Sequence, residues 1–94
     1  MIVTALTLQL YLPESDSLKA KRGILKSLLA RLRREFNIAA AETGLHDVWQ
    51  SAEVSLVTVS NDAVYADGLL ARAVQWIEHY RPDVDVVDTQ IERR

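Results

Sequence analysis

Apolar residues recur at every second position from Ile2 to Leu12, then at helical spacing from Leu18 to Phe36, and the same change of period is repeated between Ala52 and Tyr80. Two passages from a strand-like to a helix-like repeat, each followed by another strand-like run, leave few ways to fold a chain this short. In the first run Leu6, Leu8, Leu10 and Leu12 share one face, and Val3, Ala5, Thr7, Gln9 and Tyr11 the other, as in a half-buried strand. Pro13 ends it. Ser15, Asp16 and Ser17 then offer N-caps to a helix whose apolar stripe is Leu18, Leu25, Leu28, Leu29, Leu32 and Phe36. Residues 37–43 read as a short strand, 44–50 as a loop and 52–60 as a strand. Ser60-Asn61-Asp62 caps a second helix with a stripe of Ala66, Leu69, Leu70, Ala73, Ile77 and Tyr80. Pro82 stops it, and residues 84–91 supply the last strand.

The order βαββαβ with right-handed crossovers predicts an antiparallel four-stranded sheet in the order 4-1-3-2, with both helices on one face. That is an α+β ferredoxin-like sandwich, formed as one domain over residues 1–94 because so short a chain supports a single core. The topology brings the start of the first helix, the loop at 44–50 and the end of the second helix to one rim.

Charge is informative once divided along the chain. The formal net charge is −2, yet residues 17–36 hold Lys19, Lys21, Arg22, Lys26, Arg31, Arg33 and Arg34 against Glu35 alone. Residues 37–92 hold the acidic excess, so the molecule is an electrical dipole able to meet an anionic partner from one side. Zero cysteines exclude disulfides, thiolate zinc sites and cysteine nucleophiles. Two histidines without cysteine argue against a transition-metal site, and three scattered glycines form no phosphate loop or dinucleotide fingerprint, so neither metal nor cofactor is expected. With no long apolar run and no signal-like N-terminus, the expectation is a cytoplasmic protein without a membrane partner.

Lys19, Lys21 and Arg22 occupy the first turns of the helix, where the positive end of the helix dipole makes a cation cost roughly 0.3–1 kcal/mol. With the Ser15 and Ser17 hydroxyls and unpaired amides nearby, they point to an anion site. Arg31, Arg33 and Arg34 lie at the other end, where cations are favoured by the helix itself, as His79 is at the end of the second helix. Lys21 falls inside the leucine stripe, so its ammonium calls for a carboxylate, with Glu42 the first candidate and Asp47 the second. His46 and Asp47 are adjacent in the chain, a poor arrangement for a catalytic dyad, and Trp49 is expected to close the end of the core. The open sheet face offers Tyr11 beside Val3, Ala5, Val57 and Val59. This is too few aromatics for an RRM-type RNA surface and more in keeping with self-association.

Ser17-Leu18-Lys19, Lys21-Arg22, the run Asp47, Trp49, Gln50, Ala52, Glu53 and the turn Ser60-Asn61-Asp62 resemble the pattern of the YlxP-like family of small uncharacterised bacterial proteins. The resemblance spans residues 1–91, with Ala39-Ala40-Ala41 standing where larger strand residues are expected. It implies a ferredoxin-like fold and a gene often found among translation and ribosome-maturation genes; it brings no activity.

Two functional readings follow. In the first, a non-enzymatic protein contacts RNA or a ribonucleoprotein through Ser17, Lys19, Lys21, Arg22 and Lys26, with Trp49 placed to stack on a base. In the second, the chain is a homodimeric interaction or regulatory module that uses the open sheet face, its basic helix merely solvated.

Overall fold

The computed structural model describes residues 1–94. Its elements are β1 (Ile2–Tyr11), α1 (Leu18–Glu35), β2 (Ala39–Gly44), β3 (Ser51–Ser60), α2 (Ala63–Tyr80) and β4 (Asp85–Arg93). The strands form one antiparallel sheet in the order β2-β3-β1-β4, which is the predicted 4-1-3-2 read from the other edge. The architecture is the ferredoxin-like α+β sandwich. Pairing of β1 with β3 sets Leu6 against Leu56, Leu8 against Val54 and Leu10 against Ala52, so the even-numbered side chains of both strands line one face. Sixteen buried apolar residues form one core between that face and the helices, Leu25, Leu28, Leu29 and Leu32 from α1 and Leu70, Ala73 and Ile77 from α2 among them.

Local chemistry sets the helix ends. Ser17 caps α1 by accepting from the Ala20 amide at 3.0 Å, and Asp62 caps α2 by accepting from the Val64 and Tyr65 amides. At the far end of α2 the residue before Pro82 is pushed out of the helical region, and Arg81 sits there at φ −124°.

Two strand boundaries and one core position differ most from the sequence reading. The second strand begins at Ala39 rather than residue 37, because Phe36 leaves the helix in an extended conformation and the Ile38 amide turns back to the Phe36 carbonyl. The last strand runs on to Arg93, since Arg93 pairs with Thr4 and the Val3 and Arg94 backbones exchange hydrogen bonds. Tyr80 falls in the core stripe by its spacing, but it is 62% exposed, tilted against Trp76 and edge-on to His79. One polar pair lies inside: Thr58 donates to the Asn37 carbonyl, whereas the hydroxyl of its cross-strand neighbour Thr4 is buried without a partner.

Candidate nucleic-acid interface

The rim at the start of α1 is held together by backbone and side-chain bonds from three segments. The Leu12 amide donates to the Gln50 carbonyl at 2.8 Å, and the Gln50 side chain donates to the Pro13 carbonyl, tying the β2–β3 loop to the end of β1. Arg81, just past α2, reaches the Ser27 hydroxyl and the Ile24 carbonyl of α1 while its guanidinium grips Asp83 at 2.8 Å. That hydrogen bond holds the Asp83 carboxyl below the usual range, against a smaller opposing effect of partial burial.

Lys21 is buried, 1% exposed, with its ammonium 3.1 Å from a Glu42 carboxylate oxygen and hydrogen-bonded to the Leu45 carbonyl. The contact with Glu42 is electrostatic, without hydrogen-bond geometry; the directed bond goes to Leu45. Asp47, the second candidate, is not its partner. Lys21 therefore cannot meet a phosphate in solvent, and its place among the RNA-contacting residues is corrected: the leucine face that carries it points into the core. The two serines are likewise engaged. Ser15 is buried and donates to the Ser17 carbonyl, and the Ser17 oxygen is taken up by the Ala20 amide as the helix cap. Ser15 thus shapes the turn, whereas the half-buried Ser17 caps the helix with its oxygen and keeps its O–H free to donate.

On α1 the solvent-facing cations without a carboxylate partner are Lys19, Arg22, Lys26, Arg33 and Arg34; Arg31 has Glu35 at 3.6 Å. The first turn of α1 contains no acid. Arg33 also donates to the Ala40 carbonyl, which protects the outer edge of β2. Trp49 is 54% exposed, so it does not close the core but lies open on the rim loop, whose first residue, Leu45, has φ 58°. His46 and Asp47 are both exposed and share no hydrogen bond.

An aromatic element escaped the sequence reading. Trp76 lies between the helices, edge-on to Phe36 at 6.5 Å and under the Arg31 guanidinium at 5.7 Å, with Tyr80 at 5.7 Å. The available signal was its spacing, four residues from both Arg72 and Tyr80 along one side of α2. Across the molecule, the open sheet face is apolar around Val3, Ala5, Val57 and Val59 and at the exposed Tyr11, and carries Glu53, Asp85, Asp88 and Glu92 elsewhere. Positive charge gathers on α1 and negative charge on the open face of the sheet.

A family model described as "Protein of unknown function (DUF503)" matches residues 3–91. "Uncharacterized protein YlxP" of Bacillus subtilis (strain 168) is 32% identical over 79 residues, covering 84% of this chain and 85% of that protein. Among solved structures, "De novo designed protein Foldit4" superposes with a TM-score of 0.54 at 14% identity, covering 100% of this chain and 97% of that one. At that identity the likeness concerns the fold alone.

Proposed function

The chain belongs to the DUF503 family of proteins of unknown function, and from that premise we propose that it is a non-enzymatic protein that contacts RNA or a ribonucleoprotein through the exposed face of α1. The observation that carries this reading is the set of cations on that helix without acidic partners. Lys19 and Arg22 are exposed in the first turns of α1, where a cation is disfavoured, and Lys26 is exposed a turn further along the same helix; neither packing nor ion pairing accounts for them. A polyanion supplies the missing counter-charge. Trp49 on the adjoining loop offers a stacking surface, and the acidic open face directs an anionic strand away from the sheet.

Binding to a short unstructured single-stranded RNA, measured at graded salt, tests the reading. Three phosphate contacts at about −0.7 each give a slope near −2, a loss of roughly 20-fold between about 50 and 200 mM salt. Charge reversal at Lys19 and Arg22 is expected to remove most of the affinity, and reversal at Arg33 and Arg34 to remove less. Absence of binding at low salt, or indifference to both reversals, overturns the proposal.

A further inference from the structure

β4 lies at the sheet edge and is paired on one side only, with β1. The Val3 and Arg94 backbones exchange both hydrogen bonds, so along this antiparallel ladder the pairs Ala5–Glu92 and Thr7–Gln90 are also bonded pairs, while Thr89, Ile91 and Arg93 fall at the alternate positions. The N–H and C=O groups of those three residues point outward, away from β1. Their side chains stand on the helix side of the sheet, in register with Leu8, Leu6 and Thr4. There α2 leaves β4 incompletely covered: a groove of about 470 Å³ runs between them over Leu70, Val74 and Ile91. Ile91 is 52% exposed at its margin. An edge strand with free amides and an apolar residue at its centre invites another strand.

We propose that this edge pairs with a second copy of the same chain, antiparallel and centred on Ile91, joining two four-stranded sheets into one of eight strands. The charges select the partner and the register. Centred on Ile91, the two-fold axis sets Ile91 opposite Ile91 and Thr89 opposite Arg93 as bonded pairs. On the open face it sets Asp88 opposite Arg94 twice, while Gln90 faces Glu92. Shifting the axis by one residue to Gln90 sets Asp88 against Glu92 twice, a like-charge clash across strands. Arg94 already lies 3.2 Å from Glu92, so in the paired register it bridges that carboxylate and the Asp88 of the second copy. The exposed Ile91 side chains meet at the seam beneath the two α2 helices. The bulge that leaves Val87 as the extra residue of β4 ends the straight segment just before Asp88, which bounds the paired stretch to residues 88–94.

The chain has no cysteine, which makes a crosslinking test clean. Under mild oxidation Ile91→Cys is expected to form a disulfide-linked dimer, and Val57→Cys on the open face is not. In sedimentation, Asp88→Arg and Arg94→Asp should each weaken the dimer by roughly tenfold, and the double swap should restore it. Both positions are exposed, so the fold is preserved. A wild type that stays monomeric near millimolar concentration, crosslinking through Val57→Cys instead, or a double swap no better than the single variants overturns the proposal.

Discussion

Lys21 shows how one side chain can look functional in the sequence and prove structural. Its stem runs along the core and its ammonium closes against Glu42 and the Leu45 carbonyl, fastening the first turn of α1 to the end of β2. The same carbonyl accepts from the Val48 amide at 3.1 Å, so both lone pairs are used, and the left-handed backbone of Leu45 is held from two sides. Lys21→Ala should cost about 3 kcal/mol, because it leaves a half-buried carboxylate and a carbonyl without their cation. Lys19→Ala, two residues away on the solvent face, should stay within about 0.5 kcal/mol. Urea denaturation of the two variants measures the difference, and equal midpoints would sink the structural assignment of Lys21. Helical phase made the buried position of Lys21 and its pairing with Glu42 legible in the sequence. The Leu45 carbonyl was not, since a left-handed leucine in a loop leaves no signature in composition. Trp49 was misplaced for the same reason: whether a loop tryptophan folds in or out depends on a backbone path that periodicity does not encode.

Elements were legible where apolar period alone decides them, and less so where pairing partners do. Both helices and the alternation of β1 and β3 follow from side-chain spacing, whereas the start of β2 and the end of β4 depend on which strand lies beside them. α1 carries Gly23 on its exposed face, and a Cβ added there meets nothing within 4 Å. Gly23→Ala should therefore stabilise the protein by about 0.5–1 kcal/mol through helix propensity and a less flexible unfolded chain. A thermal melt that shows no gain would mean that the helix is already strained at that turn. The junction between α2 and α1 depends on Arg81 and Asp83. Since the Asp83 carboxyl titrates below its ordinary value when folded, its contribution is fully present above the unfolded carboxylate pKa of about 3.9 and is lost as pH falls through the lower folded value. Asp83→Asn should accordingly flatten the acid side of the stability profile below about pH 4 while leaving its shape near neutrality unchanged. Denaturation midpoints followed across that range are the check, and an acid limb identical to wild type would show that other carboxylates carry it.

At the scale of the whole molecule, the two proposals occupy different surfaces and make a joint prediction. α1 lies over β2, at the sheet edge opposite β4, so pairing through β4 leaves both basic helices uncovered, on the same side of the joined sheet. With strands about 4.8 Å apart, the two helices stand roughly 30 Å from each other before twist is counted. Neither helix then needs to bind tightly alone, because a strand of RNA that spans both gains from the effective concentration of the second site. An RNA too short to bridge the helices should bind the Asp88→Arg variant no more weakly than wild type, since the substitution touches neither helix and removes one of the acids that hold an anionic strand off the sheet. A longer unstructured RNA should bind wild type at least about tenfold more tightly than it binds Asp88→Arg, at concentrations where wild type is dimeric. Reversal of Lys19 and Arg22 should weaken both RNAs and leave sedimentation of the dimer unchanged. Equal affinity of the longer RNA for wild type and Asp88→Arg would mean that the two helices do not act on one strand, even if each site binds RNA by itself.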